Sequence, residues 1–263
     1  MRAESIVKIG CLTAVVLSVA IGYGIWQGIQ NFDTGPLANR YEEMLEQHVV
    51  PHILDSWEPL NAPEANVVVD SITNRLLATL PKPSYEYRFH LVNETQVNAL
   101  TLPGGHIVIF SGLLCEADGP EQVAAVLAHE LGHAEQKHVI TRTLAETGIS
   151  LTLAILMGQD SRLGYEISRQ MISSFFSREQ EAEADTWGFQ TLAKAGVHPK
   201  AHADFFRKVK NMRQGADVPE WLSTHPNDDA RIAAADRYLL PKYFIQQPFD
   251  SISWNVMRKS ICK

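Results

Sequence analysis

The chain has few cysteines and no cluster of basic residues, and these two absences exclude whole classes of function. Cysteine occurs 3 times in 263 residues, and no pair has the C-x-x-C spacing of a cysteine zinc site. The formal net charge is -7, and no run of Lys and Arg with interleaved aromatic residues occurs, which argues against a nucleic-acid partner. Internal repeats and low-complexity segments are also absent. The sequence leaves open whether Cys115 and Cys262 pair in an oxidising compartment.

Long uncharged apolar runs are scarce as well, and the run that approaches the length of a membrane span lies near the N-terminus. It extends from Ile9 to Trp26, close to the roughly 17 residues that a spanning helix needs. Arg2 and Lys8 precede it, so the positive-inside rule predicts a cytoplasmic N-terminus and translocation of the remaining chain. Within residues 1–30, a retained anchor is favoured over a cleaved signal ending near Ala20, because apolar residues continue past that point.

The remaining residues, 31–263, are predicted to form one domain. Hydrophobic residues make up 45% of the chain and charged residues 20%, which is typical of a globular protein. Helical periodicity predicts helices at 38–57, 64–80, 177–195, 199–212 and 227–240. Strands are predicted in a single block, at 85–92, 97–102 and 106–110. Strands in one block among helices indicate an α+β fold that is mainly helical with a small β-sheet.

An H-E-x-x-H motif, formed by His129, Glu130 and His133, lies within a further predicted helix that begins near Asp118. Two His residues at i and i+4 project from one face of a helix, at the spacing that lets both imidazoles bind one zinc ion. The Glu between them is suited to take a proton from a water that the metal activates. Gly132, inside the motif, costs about 1 kcal/mol relative to Ala in a helix, so we expect another backbone or a substrate to approach closely there.

A catalytic zinc site needs a third protein ligand and an open position for water. The segment Ser177 to Asp185 offers candidates, because Glu181 and Asp185 also lie at i and i+4 on one helical face. Glu181 is suited to bind the metal, and Asp185 to accept the free N–H of a ligand histidine. On spacing alone, an acidic helix face exposed to solvent explains these residues as well as a metal site does. His138, which follows the motif, is predicted to face away from the metal.

These motifs, taken in order, resemble those of the gluzincin zinc peptidases related to the CAAX prenyl proteases. The resemblance is closest to the bacterial envelope members with a single anchor or none, because the multispanning members have several long hydrophobic helices. Besides the two helical motifs, it includes Asn98-Ala99, Pro103-Gly104-Gly105, His225-Pro226 and Arg231-Ile232. The resemblance implies a zincin-like metalloprotease fold with one zinc ion per chain. It also implies roles for the five matching residues: His129, His133 and Glu181 as ligands, Glu130 as general base and Asp185 as the outer partner of a ligand histidine.

For function, the resemblance implies a zinc endopeptidase that cleaves polypeptides, in the quality control of misfolded or misassembled bacterial envelope proteins. We expect the catalytic domain on the periplasmic side of the inner membrane, held by the N-terminal helix or released after signal cleavage. The alternative is a chaperone-like assembly factor in which zinc is structural. The presence of Glu130 argues against it, because a structural site needs no base. Prenyl-protein processing is disfavoured, since the chain lacks the helices for an intramembrane chamber.

Other candidate site residues each have competing interpretations. His225 either stabilises the oxyanion, occupies the open zinc position and holds the enzyme latent, or is an ordinary surface histidine. Arg231 is a further candidate because the family pattern carries it. The segment Gly104 to Phe110 is either an edge strand to which an extended substrate adds or an ordinary core strand. The residues predicted to bind substrate in that strand are Gly105, His106, Ile107 and Val108.

Overall fold

The structure, a computed structural model, describes residues 35–146, 167–169, 171–172, 175–212, 225 and 229–262. These residues are mainly helical with one small sheet, so the α+β prediction is confirmed. The chain divides into two compact units, Met1–Arg40 and Tyr41–Lys263, and the whole sheet lies in the second. The predicted membrane segment, Ile9 to Trp26, lies outside the described residues. Among the described helices, none has the length and apolar character needed to cross a membrane.

The elements follow one another as helices, sheet, and helices again. The helices before the sheet are α1 (Gly35–His48), α2 (Val50–Leu54) and α3 (Pro63–Leu77). The strands are β1 (Arg88–Val92), β2 (Ala99–Leu102) and β3 (His106–Phe110), and the 3-10 turn Pro103–Gly105 joins β2 to β3. The helices after the sheet are α4 (Ser111–Glu116), α5 (Pro120–Glu135), α6 (Arg178–Lys194), α7 (Lys200–Met212), α8 (Asp229–Asp236) and α9 (Ser251–Ile261). Residues 138–146 are also helical.

Within the described residues, each predicted helix and strand has a counterpart, although several are shorter than their patterns indicate. The helix predicted at 38–57 divides into α1 and α2, because Pro51 lies in the first turn of α2 and cannot donate to the turn before it. The sequence patterns do not predict α4 or α9. Short helices such as α4 carry too few turns for a clear periodicity.

Strand β3 is the central strand of the sheet, whose order is β1-β3-β2. It pairs in parallel with β1 and antiparallel with β2, and Val108 has a partner on each side. Because both edges of β3 are occupied, the prediction that Gly105, His106, Ile107 and Val108 form a substrate-binding edge strand is wrong. Ile107 and Val108 are fully buried, as expected of a core strand. The edge of the sheet that packs against α5 belongs to β2.

Helix α5, which carries the H-E-x-x-H motif, passes through the centre of the core. Every residue from Gln122 to Ala134 is buried, and the helix packs against α3, β2, α6 and α7. Pro120 begins the helix, where its missing N–H costs nothing. A helix buried on all sides needs no polar face. The polar side chains of the motif therefore lie inside the protein and require partners there.

Helix α6, which carries the acidic motif, begins and ends at residues that its sequence specifies. Ser177 and Gln180 form a capping box: Ser177 Oγ accepts from the Gln180 N–H at 3.2 Å, and Gln180 Oε1 accepts from the Ser177 N–H at 3.0 Å. At the other end Gly196 has a φ of 70°, and the Val197 N–H donates to the Leu192 carbonyl at 2.9 Å. This Schellman arrangement fixes where the helix stops.

Helices α5 and α6 cross in close contact because glycines lie at the crossing. A Cβ on Gly132 would lie 2.8 Å from the carbonyl oxygen of Ala184, and a Cβ on Gly188 would lie 3.3 Å from the backbone nitrogen of His129. The expected close approach of another backbone at Gly132 is therefore confirmed. The crossing brings the acidic face of α6 against the histidines of α5.

A disulfide joins Cys115 of α4 to Cys262, which follows α9, so the pairing that the sequence leaves open is present. Its sequence separation of 147 residues corresponds to about 5 kcal/mol of stabilisation if the effect is entropic. Trp254 and Met257 bury their side chains in the core, and Arg258 donates to the Cys115 carbonyl at 2.9 Å. Helix α9 is therefore fixed to the domain at both its apolar face and its last turn.

The substitution Gly132→Val is expected to lower the free energy of unfolding by about 1–3 kcal/mol, because the new side chain overlaps the backbone of α6. Denaturant titration followed by circular dichroism measures this change. Gln190→Val, at an exposed position of α6, controls for the lower helix propensity of Val. Equal unfolding free energies for the two variants would contradict the close crossing.

Candidate metal centre

Side chains from three parts of the chain converge on one buried point. His129 and His133 come from α5, Glu181 from α6, and His225 from the chain before α8, and their ligand atoms all lie within 4.8 Å of one another. The two imidazole Nε2 atoms are 3.0 Å apart. Glu181 Oε1 lies 3.4 Å from His133 Nε2, and Oε2 lies 3.5 Å from His129 Nε2. The structure thus brings the three predicted ligands together and adds His225 to them.

His225 lies inside this cluster, so the interpretation of it as a surface histidine is wrong. Its side chain is fully buried. Its Nδ1 lies 2.9 Å from Glu181 Oε1 and 3.2 Å from His129 Nε2, and its Nε2 lies 3.4 Å from Glu130 Oε1. The ring therefore contacts both a candidate ligand and the candidate base.

Asp185 fixes the orientation of His129. Asp185 Oδ1 lies 2.9 Å from His129 Nδ1, so Nδ1 carries the proton and Nε2 presents its lone pair to the cluster. Arg231 donates to both oxygens of this carboxylate at 2.7 Å each, and it also forms an ion pair with Glu181. Burial raises the pKa of Asp185, but the neighbouring His202 and the Arg231 guanidinium outweigh it and hold that pKa well below its usual range. Asp185 therefore remains an acceptor.

A second set of contacts fixes His133 through His138. His133 Nδ1 lies 3.0 Å from His138 Nδ1, and His138 Nε2 lies 3.1 Å from Glu183 Oε2. A carboxylate oxygen accepts hydrogen bonds, so the Nε2–H of His138 donates to Glu183. The Nδ1 of His138 then accepts a hydrogen bond from the Nδ1–H of His133. His138 is buried, so the prediction that it faces away is wrong. Helix α5 ends at Glu135, and Lys137, with a φ of 54°, turns the chain back across the site.

These tautomers make the cluster suited to a cation. Because each ring is bonded outward through Nδ1, the Nε2 atoms of His129 and His133 face each other, and the Glu181 carboxylate lies beside both. Burial is the largest of the effects that hold the pKa of His133 well below its ordinary value, so its ring is neutral. Burial raises the pKa of Glu181, but His225 and Arg231 outweigh it and hold that pKa well below its usual range. Converging acceptors repel one another unless a cation lies among them, and imidazole nitrogen with carboxylate oxygen is a donor set that zinc prefers.

Glu130 is held by Thr101, a residue of β2 that the sequence analysis missed. The Thr101 hydroxyl lies 2.7 Å from Glu130 Oε2 and 2.9 Å from the Glu130 backbone carbonyl oxygen. Glu130 Oε1 has no hydrogen-bond partner within the described part of the chain. One carboxylate oxygen is thus fixed, and the other faces the cluster, which suits a group that accepts a proton there.

His202 of α7 is another buried residue that the sequence analysis missed. Its Nε2 lies 3.1 Å from Asp185 Oδ1, and its ring packs against Phe206 with centroids 4.4 Å apart. Burial lowers the pKa of His202 by more than Asp185 raises it. Asp185 is therefore surrounded by His129, Arg231 and His202, which come from three different helices. No local pattern in α7 identifies this contact before the fold is known.

Two histidines and a glutamate on one helix, with a carboxylate from a crossing helix, are the arrangement of a zincin-type metal-dependent hydrolase. Residues 63–239 match Peptidase family M48, and the chain belongs to this family. The matched region contains the whole cluster, and the resemblance inferred from the motifs is confirmed.

Curated relatives agree with this family. The chain is similar to a putative beta-barrel assembly-enhancing protease of Vibrio cholerae, at 30% identity over 208 residues, 73% of this chain and 43% of the relative. It is similar to a beta-barrel assembly-enhancing protease of Yersinia pestis, at 31% identity over 182 residues, 64% of this chain and 37% of the relative. A mitochondrial metalloendopeptidase OMA1 of Arabidopsis thaliana is 38% identical over 144 residues, 54% of this chain and 29% of the relative. The chain therefore spans less than half the length of these relatives.

The substitution Asp185→Asn is expected to weaken zinc binding by about 10- to 100-fold, because the charge that fixes the His129 tautomer is lost while the side-chain volume is kept. Competition against a chelator of known affinity measures the change, and circular dichroism checks the fold. Asp204→Asn, at an exposed acid on α7, is the matched control. If both variants bound zinc as the wild type does, Asp185 would have no part in ordering the ligands.

Proposed function

We propose that the protein is a zinc-dependent endopeptidase that hydrolyses peptide bonds. The observation that carries this proposal is the convergence of His129, His133 and Glu181 beside the carboxylate of Glu130. Membership of Peptidase family M48 and the protease names of the relatives support it. The tautomers imposed by the surrounding residues also favour metal binding over an ordinary buried polar network.

The residues of the site divide the work of hydrolysis. His129, His133 and Glu181 would hold a zinc ion, which when bound would act as a Lewis acid that acidifies a water molecule and polarises the substrate carbonyl. Glu130 takes the proton on Oε1 and later gives it to the leaving amine, while Thr101 keeps Oε2 in place. Arg231 acts through Asp185 and Glu181, whose carboxylates it holds against the histidines.

In the described conformation, His225 keeps the peptidase in a latent, inactive state. Zinc sites in enzymes usually keep one position for water, whereas four protein ligands close the coordination shell. His225 is the fourth possible donor of the cluster, so a zinc ion held by all four side chains would have no position left for water. Activation then requires His225 to withdraw. Its contacts favour this role over stabilisation of an oxyanion, because the ring faces Glu181 and His129 as closely as the ligands face each other.

Substrate binds as an extended strand along the edge of β2, not along β3. The outer edge of β2 pairs with no strand in the part of the chain that the structure describes. A narrow groove beside it lies between Thr101 and Leu102 on the strand side and His133 and Lys137 on the helix side. Its volume of about 10 Å³ barely admits one water, which agrees with a latent state. Main-chain hydrogen bonds to β2 would allow broad sequence tolerance.

The biological role is quality control of misfolded or misassembled proteins in the bacterial envelope. The names of the bacterial relatives, assembly-enhancing proteases for beta-barrels, support this role. The Cys115–Cys262 disulfide supports a location outside the cytoplasm, where disulfides persist. We propose the periplasmic side of the inner membrane, with the segment Ile9 to Trp26 as anchor, or as a cleaved signal in the alternative. Residues 31–263 are the catalytic domain.

The substitution Glu130→Gln is expected to keep zinc content unchanged and to lower casein cleavage by about 10²- to 10⁴-fold, because the amide cannot accept the proton. Metal analysis and a cleavage assay of the full chain measure the two properties. A chelator should abolish wild-type cleavage, and added zinc should restore it. Retained proteolysis in Glu130→Gln would refute the proposed base. If the wild type, Glu130→Gln and His225→Ala all lack proteolysis and all prevent aggregation of unfolded chains, the assembly-factor alternative replaces the peptidase.

The substitution His225→Ala is expected to weaken zinc binding and to raise basal cleavage several-fold, because removal of the fourth donor opens a position for water. Chelator competition and initial rates measure these effects on one preparation. Lower cleavage at unchanged zinc affinity would instead identify His225 as an oxyanion-stabilising residue. Unchanged activity and affinity would exclude both roles.

A further inference from the structure

A cavity of about 350 Å³ lies between helices α6 and α8, directly against the candidate metal centre. Glu181 lines the cavity and also belongs to the metal cluster. Phe176 forms another part of its wall, and the Phe176 ring is stacked on His133 with centroids 3.8 Å apart. A group bound in this cavity would therefore be one side chain away from the ligands. Neither the proposed proton transfer nor the edge of β2 gives this cavity a role.

The described lining of the cavity is largely apolar. Two aromatic rings, Phe176 and Phe189, form walls, and three alanines leave the space between the helices open: Ala182, Ala230 and Ala234. An apolar cavity of about 150 Å³ is already enough to bind benzene. A cavity of about 350 Å³ thus has room for the largest aliphatic or aromatic side chains of a polypeptide. The three alanines are exposed, so this part of the cavity lining is accessible from solvent.

The charged groups at the floor of the cavity already have partners. Arg231 donates twice to Asp185 and forms an ion pair with Glu181. A charged side chain in the cavity would compete with these buried ion pairs, and a pair that loses one partner is strongly destabilised. An apolar side chain leaves them intact. Arg178, the other cation of the lining, is exposed, so water and salt screen its charge.

We infer that this cavity is a specificity pocket for a large apolar side chain, such as Phe, Leu or Met, next to the bond that is cleaved. The inference rests on the proposed peptidase function and adds a substrate class to it. Folded proteins bury most side chains of this type, whereas unfolded and misassembled chains expose them. A peptidase with this pocket therefore selects non-native chains by the side chains that folding would have hidden.

The test uses the full-length protein and denatured casein, with cut sites identified by mass spectrometry. The wild type is expected to favour Phe, Leu, Met, Tyr or Trp at one position beside the cut. Two peptides that differ only there, Phe against Ala, should then differ in kcat/KM by about 10- to 100-fold. Ala182→Phe and Ala234→Phe fill the cavity from opposite helices and should bring this ratio close to 1. Gln190→Phe, exposed on α6 and outside the cavity lining, should keep the wild-type ratio.

The possible results test the specificity pocket separately from the peptidase activity. Wild-type cleavage with no preference for large apolar residues at any position overturns the pocket and leaves the peptidase standing, whether or not the variants fold. A wild-type ratio that persists in folded Ala182→Phe and Ala234→Phe also overturns the pocket. Proteolysis no greater than that of Glu130→Gln in both the wild type and zinc-supplemented His225→Ala overturns the peptidase and the pocket together.

Discussion

The candidate site depends on how closely helix α5 passes helix α6. Gly132 has no side chain, and the backbone of Ala184 lies where a Cβ would otherwise be. At this separation the short side chain of Asp185 reaches the outer nitrogen of His129, and Glu181 reaches the inner nitrogens of both histidines. A wider crossing would move the carboxylates away while leaving each motif intact along its own helix. The glycine inside the motif therefore matters as much to the site as the residues that flank it.

The parts of the site that a single helix specifies could be predicted from the sequence. His129 and His133 share a face because the spacing i, i+4 fixes it, and the same holds for Glu181 and Asp185. That the two faces meet could not be derived from spacing, because many helix pairs never touch. It was predicted from the resemblance to a peptidase family, and the structure brings the four residues together. The geometry along each helix can thus be predicted from the residue spacing, whereas the contact between the two helices is predicted only from the resemblance to the family.

Three residues that sequence reasoning misplaced or missed depend on non-local pairing or on an uncommon backbone conformation. His138 contacts His133 because Lys137 adopts a positive φ, which a lysine rarely does. Val108 lies in a central strand because β1, from earlier in the chain, pairs with its other side. His202 meets Asp185 because α7 packs against α5, whose His129 is also bonded to Asp185. In each case the residue is compatible with the position that it occupies, but it is equally compatible with other positions in a fold, so the local sequence does not decide between them.

Because its donors come from separate parts of the chain, a bound metal ion would also raise the stability of the whole domain. A ligand that binds only the folded chain adds RT ln(1 + [L]/Kd) to its stability, about 1.4 kcal/mol for every tenfold rise above Kd. An ion shared by α5, α6 and the chain at His225 would tie together parts that meet only in the folded state. In a cell short of zinc, such a protein would be degraded as an unstable chain instead of accumulating as an inactive one, so its abundance would follow the supply of the metal.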